Sequence, residues 1–459
     1  MAETQPPQTD NEKLSKLLRF LEQDSIVFGD NRKKLDSTEK PQLSQRVKTF
    51  YVDTWRRESP NTDSQRSLLM PEGAAGRLGA AARNVIGGTP ICLQTAIDLR
   101  TIVYGSCHHS FSREWQKSSL AFQHLEGRFP YGINAHRCGS RGLTLCVQAF
   151  LLKHLLFNKE YQSSIFMSTA LQPNSFERRR ALIGGMCEML WQAGERRRCC
   201  VCLLQEHNCF GPDYRYRVDN ITERLHLFEF KKLEDLQIFI RRHSEQFQGD
   251  NSCGCILFLY SLVLSRTVHR VQEDMDVTED NKFKLLTDME ECTPCLINLL
   301  LTGRAVKHLH NGDILYDSRG SLLSRPVRGN KQRSEVGFLF WDKGEREDER
   351  TEVGSMLKTP KYPVWLTKIN GHFGLLFSTN VDLVSDWRAE HLFALHYYTG
   401  LITQEKPVQL TIDTRYNRIR PKTSLLRRDQ EDKIPALEQC IMTKWYGANV
   451  LWNGTVPFY

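Results

Sequence analysis

One segment constrains the fold of this chain more than any other: residues 143–157 are apolar on nearly every side of a helix. A surface helix is apolar along one stripe only, whereas a helix that is apolar all round is buried. The sequence therefore predicts a long helix inside a large core. The chain has 459 residues, 40% of them hydrophobic and 25% charged, which is typical of globular proteins that build such a core.

The stretch that leads into this helix, residues 131–141 (YGINAHRCGSR), is predicted to be an irregular loop. Thiol hydrolases present their nucleophile from such a place, because the helix dipole and the free backbone N–H groups stabilise a thiolate there. Arg141 stands where that thiol is expected. A guanidinium does not attack a carbonyl and keeps its proton at any useful pH, so the pattern indicates an enzyme scaffold without its nucleophile.

Residues 364–378 (VWLTKINGHFGLLFS) predict a β-hairpin. The central Asn370-Gly371 pair fits a type I′ turn, which needs positive φ at both positions. His372 then begins the second strand, where its side chain can project from the end of the sheet. A histidine in that place can act as the base for a thiol carried by a helix. The alternative is a surface or packed histidine.

The pattern of polar and apolar residues changes near residue 86. Residues 1–85 are polar and are predicted to form a flexible N-terminal segment with one short helix at 11–23, and residues 86–459 to form one large α+β domain. Further elements are predicted as helices at 174–194, about 233–246, 255–274 and 283–303, and as a buried strand at 199–204 (CCVCLL).

Other cysteines offer alternative thiols. Cys138 lies three residues before Arg141, but a shift of three residues moves a nucleophile by up to ~10 Å, which loses alignment with a fixed His372. Cys146 falls inside the predicted helix, where a thiol packs like a small apolar group. Rescue of catalysis by Cys138 stays open as an alternative.

Composition argues against several function classes. The C-x-C pair at 253–255 and the C-x-x-C pair at 292–295 are too far apart in sequence to indicate a zinc site, so no metal and no cofactor are expected. The net charge of +8 is modest and its arginine clusters are short, so no nucleic acid is expected as a partner. The longest apolar run, 255–265, is too short to cross a membrane. No signal peptide is evident, so we expect an intracellular location in the cytoplasm, with the nucleus left open, and reduced thiols.

The chain resembles the MINDY family of deubiquitinating cysteine proteases, and in particular the type-four members. The resemblance covers most of residues 86–457 and implies a papain-like layout, in which the long buried helix faces a β-sheet across a cleft. The segments that carry it are IGGTPICLQTAIDLRTIVYGS (86–106), SFSREW (110–115), YGINAHRCGSRG (131–142), LLTGRAVKHL (300–309), LKTPKYPVWL (357–366), GHFGLLFS (371–378), LTIDT (410–414) and TKWYGANVLWNG (443–454).

In that family the loop before the helix resembles Tyr-Gly-x-x-Gln-x-x-Gly-Gly-Pro-Cys-Gly, with the cysteine as nucleophile, the glutamine in the oxyanion hole and the hairpin histidine as base. Carried across by position, the cysteine falls on Arg141, the glutamine on Ala135 and the base on His372. Loss of one oxyanion donor alone costs roughly 10²–10³ in turnover. The resemblance therefore implies a pseudoenzyme with no intact catalytic set, the inactive B-form paralogue of the type-four member.

The function expected on this basis is that of an inactive ubiquitin carboxyl-terminal hydrolase, which binds ubiquitin or polyubiquitin without cleaving it. Candidates for the groove that holds the ubiquitin tail are Asn134, Gly139, Ser140 and Gly142. Two alternatives remain: a residual deubiquitinase that uses Cys138, and an interaction protein without ubiquitin affinity. Arg141 itself either pairs with the ubiquitin carboxylate, plugs the groove or is simply solvated. The oligomeric state is left open.

Overall fold

The protein is represented by a computed structural model. The structure describes residues 85–136, 139–158, 171–277, 283–317, 319–345, 351–415 and 434–457. Contacts divide the chain into residues 1–74 and 75–459, and all of the described residues belong to the second unit. The helix predicted at 11–23 lies outside the described residues, as does the rest of the predicted N-terminal segment except Val85.

Helices and strands are mixed along the described part of the chain. The helices are α1 (Leu93–Tyr104), α2 (Arg113–Gln116), α3 (Arg141–Phe157), α4 (Ser175–Ala193), α5 (Leu233–Arg242), α6 (Glu245–Gln248), α7 (Gly254–Arg266), α8 (Val268–Asp274), α9 (Pro294–Thr302), α10 (Ser355–Lys358) and α11 (Ala436–Met442). The strands are β1 (Thr89–Pro90), β2 (Cys199–Leu204), β3 (Leu225–Phe230), β4 (Asp313–Tyr316), β5 (Leu322–Arg328), β6 (Gly337–Trp341), β7 (Val364–Ile369), β8 (His372–Phe377), β9 (Leu392–Tyr398), β10 (Val408–Asp413) and β11 (Asn449–Leu451).

The predicted central helix is confirmed as α3. Every residue of α3 is buried except His154, which is half-buried. The helix packs against α4 and α9 and against strands β7 and β8. An all-apolar helix has no face to offer to water, so it becomes the centre of the core and fixes the sheet beside its N-terminal end.

The predicted start of α4 is also confirmed. The Asn174 side chain accepts hydrogen bonds from the backbone N–H groups of Phe176 (3.0 Å) and Glu177 (2.9 Å), and the Glu177 carboxylate accepts one from the Asn174 N–H, which completes a capping box. Gly194 ends the helix at φ −82°, so left-handed backbone is not the reason for glycine. A Cβ there would lie 1.5 Å from the Arg198 carbonyl oxygen.

The main sheet has six strands in the order β11-β10-β9-β8-β7-β6, antiparallel except for the parallel pair β6 and β7. The predicted hairpin joins β7 to β8, and its turn has φ 48° at Asn370 and φ 81° at Gly371, as a type I′ turn requires. Pairing of β8 with β9 stops at Leu375 and Tyr398, so the two strands separate toward the start of β8. One face of this sheet contacts α3, and α11 packs on β6 and β7 over a second apolar core.

Three predicted helices need correction. The helix predicted at 233–246 is divided into α5 and α6, and the helix predicted at 255–274 is divided into α7 and α8 at Thr267, whose φ of 74° cannot continue a helix. The helix predicted at 283–303 begins only at Pro294, because Thr293 caps it and the preceding residues form a turn closed by a bridge between Leu286 and Cys292.

The buried strand predicted at 199–204 is confirmed as β2, which lies beside β3 in a small sheet of the order β1-β3-β2. Strand β3 was not predicted. The fold class is therefore α+β, as predicted, while the papain-like layout and the cleft remain predictions. Among the described residues, no helix combines the length and the apolar character needed to span a bilayer.

Candidate functional site

Arg141 is the first residue of α3, and its guanidinium contacts the main sheet. The Nε and Nη2 atoms donate to the Phe373 carbonyl oxygen at 3.0 and 2.8 Å, and Nη2 also donates to the Thr399 carbonyl oxygen at 2.7 Å. The residue is 7% exposed. The interpretation of Arg141 as a solvated surface side chain is therefore wrong.

These bonds cross the gap between two strands. Phe373 lies in the part of β8 beyond its last pair with β9, and Thr399 directly follows β9. The guanidinium thus joins the ends of both strands to the start of α3. A cation at a helix N-terminus opposes the macrodipole by ~0.3–1 kcal/mol, but hydrogen bonds to a charged donor contribute ~1.5–3 kcal/mol each and offset that cost.

His372 is exposed at the start of β8, directly before Phe373. The type I′ turn fixes its place at the end of the sheet. Because Arg141 bonds to the carbonyl of the next residue, the structure brings together the two positions that the resemblance assigns to nucleophile and base. No thiol stands at the first of these positions.

The predicted oxyanion position, Ala135, is buried, and its backbone N–H donates to the Gly400 carbonyl oxygen at 3.1 Å. Asn134 is half-buried, and its side-chain amide donates to the Phe122 carbonyl oxygen at 3.4 Å. The methyl group of Ala135 offers no hydrogen bond to an oxyanion, and its backbone N–H is engaged by the Gly400 carbonyl.

The remaining groove candidates lie in the turn that enters α3. Ser140 is buried, with its hydroxyl oxygen 2.8 Å from that of Ser118. A Cβ on Gly139 would lie 2.0 Å from the Glu290 carbonyl oxygen, and a Cβ on Gly142 would lie 2.8 Å from Cys292 Sγ. Both glycines are therefore required by close approach of the backbone to its neighbours.

Sequence reasoning missed two segments that border this site. The turn at 287–291 lies against Gly139, and the loop at 399–404 accepts hydrogen bonds from Ala135 and Arg141. Both are distant in sequence from residues 135–142. No local pattern could have placed them there, although the large apolar residues at their tips, Met289 and Ile402, are unusual in polar turns.

Among the thiols, Cys138 lies outside the described residues. Cys146 is fully buried inside α3, and this burial raises its pKa well above the ordinary value, so it is an unreactive packing residue as predicted. From the sequence, Cys292 was considered only as part of the C-x-x-C pair at 292–295 and not as a nucleophile. Its Sγ lies 3.8 Å from the Gly139 carbonyl oxygen, beside the start of α3, and the residue is 2% exposed.

The described residues contain no group of three or more histidine, cysteine, aspartate or glutamate side chains arranged to hold a metal ion. The cysteine pairs at 253–255 and 292–295 lie at the starts of α7 and α9 and are buried. All cysteines of the described part of the chain are free thiols.

Comparison with known proteins gives several relatives. The chain is 34% identical over 417 residues to "Probable ubiquitin carboxyl-terminal hydrolase MINDY-4" of Xenopus tropicalis, which covers 90% of this chain and 53% of the relative. It is 36% identical over 369 residues to the Homo sapiens protein of the same name, covering 80% and 46%. It is 28% identical over 269 residues to "Ubiquitin carboxyl-terminal hydrolase MINDY-3" of Homo sapiens, covering 52% and 55%. The chain thus spans about half the length of these relatives.

These names contradict the prediction that the chain is not an enzyme. The relatives are named as hydrolases, and nothing in the comparisons or in the fold shows that this chain is inactive. Arg141 removes a thiol from one position only, and the chain carries 14 cysteines. The prediction of a pseudoenzyme is wrong, because it inferred the activity of the whole chain from the residues at positions 141 and 135.

The family to which the chain belongs does not depend on whether the chain is active. No solved structure matches the chain. Residues 100–454 match the family described as "Deubiquitinating enzyme MINDY-3/4, conserved domain". This match spans more than half of the chain and includes α3, the β7–β8 hairpin and the positions of Ala135 and Arg141. The chain therefore belongs to the MINDY-3/4 family of deubiquitinating enzymes.

Proposed function

We propose that this chain recognises ubiquitin or polyubiquitin at the place where the N-terminus of α3 meets β8. The observation that carries the proposal is the pair of hydrogen bonds from Arg141 to the Phe373 carbonyl, next to His372. These bonds hold the helix start and the hairpin in one fixed arrangement. A surface that is ordered before binding loses less conformational entropy on binding, which favours recognition.

The same arrangement limits how the chain can hydrolyse a ubiquitin conjugate. A guanidinium keeps its proton and is not a nucleophile. Hydrolysis by this chain therefore requires a thiol from a position other than 141. The binding function and the hydrolytic function can be measured separately for this reason.

The proposed function is tested by measuring affinity and hydrolysis on the same polyubiquitin chains. We compare the wild type with the variant Arg141→Cys, Ala135→Gln, which returns a thiol to the helix N-terminus and an amide donor to the oxyanion position. A thiolate there is stabilised by the helix dipole. We expect the wild type to bind, and the variant to bind and to hydrolyse at least about 10²-fold faster than the wild type.

The matched control adds His372→Ala to the double variant. If the site is correctly assigned, the gain in hydrolysis disappears while binding remains. Circular dichroism checks that each variant is folded. Absence of ubiquitin binding by both folded proteins would overturn the proposal and leave an interaction protein without ubiquitin affinity. A gain that survives His372→Ala would overturn the assignment of the site.

A second candidate function, hydrolysis through a displaced thiol, is favoured by the position of Cys292 beside the start of α3. It is tested by incubating the protein with ubiquitin that carries an electrophile at its C-terminus and then mapping the labelled cysteine. Labelling that is lost in Cys292→Ser or in Cys138→Ser supports this candidate. Ubiquitin binding by the wild type without any labelling refutes it. Since Cys292 is 2% exposed, labelling there also requires local opening of the surrounding structure.

A further inference from the structure

Strands β4 and β5 form a separate ribbon of two strands, which no other described strand joins. Its apolar side chains face water: Ile314 and Leu315 are each 44% exposed, Tyr316 is 57% exposed and Leu322 is 72% exposed. Elsewhere in the described part of the chain, no two exposed large apolar side chains are adjacent in sequence. A ribbon of two strands is marginally stable in water, and clustered exposed apolar side chains mark interaction sites. The ribbon therefore has the character of an interaction surface.

The strand register places these apolar side chains together. Ile314 lies opposite Val327, and Tyr316 lies opposite Leu322. Residues directly opposite each other in an antiparallel pair share a face of the sheet, with Cβ atoms ~4.5–5.5 Å apart. Ile314 and Tyr316 are two positions apart on β4, so they point to the same side of that strand. Ile314, Tyr316 and Leu322 thus form one apolar face.

The base of the ribbon is tied to the body of the protein. The Gly312 N–H donates to the Asn330 carbonyl oxygen at 2.8 Å, and the Asn330 N–H donates to the His310 carbonyl oxygen at 2.8 Å. The buried Asn330 side chain also donates to the side-chain oxygen of Asn298, on α9, at 3.1 Å. The exposed face therefore stands on an ordered base.

The two edges of the ribbon differ in how they are protected. Natural edge strands avoid pairing with another chain by means of charges, prolines and bulges. Strand β5 carries Arg325, Pro326 and a bulge, because the extra residues of the register shift lie on β5. In addition, Arg328 donates to the Glu273 carbonyl oxygen on α8 at 3.0 Å. Strand β4 has no charge, proline or extra residue at 314–316, and no described strand pairs with its outer edge. An extended peptide can therefore add to β4.

The charges of the ribbon indicate which peptide fits. Residues 313–331 contain four basic and two acidic side chains. Both acidic side chains have partners: Asp313 forms an ion pair of 2.6 Å with a lysine, and Asp317 accepts hydrogen bonds from the backbone of the connecting turn. Arg319 and Arg325 are exposed, and neither makes an ion pair within the described part of the chain. The ribbon thus favours a partner with acidic side chains.

The same charges disfavour a second copy of this chain as the partner. Pairing of β4 with the β4 of another copy would bring two basic ribbons together, and like charges placed against each other across an interface are unfavourable. A peptide that alternates apolar and acidic side chains avoids this cost, because its two faces differ in character.

We propose that β4 binds an extended segment of a partner protein, which adds as a third strand and carries alternating apolar and acidic side chains. Main-chain hydrogen bonds to β4 supply affinity, and the face formed by Ile314, Tyr316 and Leu322 accepts every second side chain of the segment. Arg319 and Arg325 attract its acidic side chains. This site shares no residue with the candidate site at α3 and β8 and does not depend on the proposed function.

The test uses the full chain and three labelled synthetic octapeptides with blocked ends, measured by fluorescence anisotropy. The first alternates valine and glutamate, and the second alternates valine and lysine. The third is the first with its two central residues replaced by proline, which removes backbone donors. We expect the first peptide to bind at least about tenfold more tightly than the other two, because it alone offers both the acidic side chains and the complete backbone.

Two matched pairs of substitutions locate the site. Tyr316→Ser with Leu322→Ser is expected to weaken binding of the valine–glutamate peptide by about tenfold, as loss of a central apolar contact does. The control, Tyr214→Ser with Val456→Ser, removes side chains that are 92% and 81% exposed outside the ribbon and should leave binding unchanged. Hydrogen exchange at 313–316 should slow when the peptide binds to wild type, which side-chain contact alone would not cause.

Several outcomes would overturn the proposal. One is a folded wild type that does not bind the valine–glutamate peptide, and another is equal binding of the lysine or proline peptide. An equal loss in the control pair, or unaltered exchange at 313–316, would also overturn it. Dimerisation of the wild type in sedimentation equilibrium that is lost in Tyr316→Ser with Leu322→Ser would assign β4 to a second copy instead. The binding of ubiquitin is measured separately and decides only the proposed function.

Discussion

The contact made by Arg141 can be tested by its effect on stability. Arg141→Met keeps an apolar stem of similar length and removes the guanidinium. The Phe373 and Thr399 carbonyls then lose the guanidinium as a hydrogen-bond donor. These bonds are shielded from water, because Arg141 is only 7% exposed. A buried acceptor left without its partner costs ~1–3 kcal/mol, so two cost ~2–6 kcal/mol. Removal of a cation from the helix N-terminus stabilises the helix by ~0.3–1 kcal/mol, which offsets part of this cost. We expect a net destabilisation of about 1–6 kcal/mol.

The assay is urea unfolding of the full chain followed by circular dichroism, with hydrogen exchange of residues 373–377 and 396–400 as a local measurement. Arg141→Lys is expected to fall between the wild type and Arg141→Met, because an ammonium cannot bridge two carbonyls as a planar guanidinium does.

The control is Arg333→Met. The Arg333 guanidinium donates to the carbonyls of Thr359, Pro360 and Val384, but the residue is exposed. Water can replace those bonds, so we expect a loss below about 1 kcal/mol and no change of exchange in β8. The reasoning would be refuted if the free energy of unfolding of Arg141→Met lay within about 0.5 kcal/mol of that of the wild type and if hydrogen exchange in β8 and β9 were unaltered.

Two further predictions concern the surroundings of α3. Gly142→Ala is expected to destabilise the fold by about 1–3 kcal/mol in the same urea assay, because its Cβ would lie 2.8 Å from Cys292 Sγ. Gly211→Ala is the control and is expected to be near neutral, because a Cβ there would meet no atom within 4 Å. Burial acts most strongly on Glu188 and raises its pKa, but His154 and Lys153 overcome it and lower the pKa from 4.5 to about 2. Because the pKa of Glu188 is lower in the folded state than in the unfolded state, its ionised carboxylate stabilises the fold above pH 4.5, and this stabilisation is lost as the pH falls toward 2. The urea midpoint of the wild type should therefore fall with pH in that range, and it should fall less in Glu188→Gln.

Local patterns predicted a good part of this fold. The all-apolar segment at 143–157, the capping pair at the start of α4 and the Asn370-Gly371 turn each act within a few residues, and each was found where it was predicted. The helix boundary at Thr267 was missed because positive φ at a threonine has no sequence signal. The helix start at Pro294 was missed although Thr293 and proline are a recognised cap.

The candidate site was only half predictable for a related reason. Residues 135–142 and His372 follow from the loop, the helix and the hairpin, together with the resemblance. The contacts that complete the site come from Glu290, Cys292 and Thr399, which are far away in sequence. The burial of Arg141 against two carbonyls depends on the point at which β8 and β9 separate, and this is a property of strand register rather than of composition.

The most direct measurement of the central claim is hydrogen exchange of the full chain with and without saturating ubiquitin. If the helix start and the hairpin form a ubiquitin site, protection should increase at 135–142, at 371–374 and in the turns at 287–291 and 399–404. Protection confined to other regions, or no change at ubiquitin concentrations up to the highest that can be reached, would contradict the account.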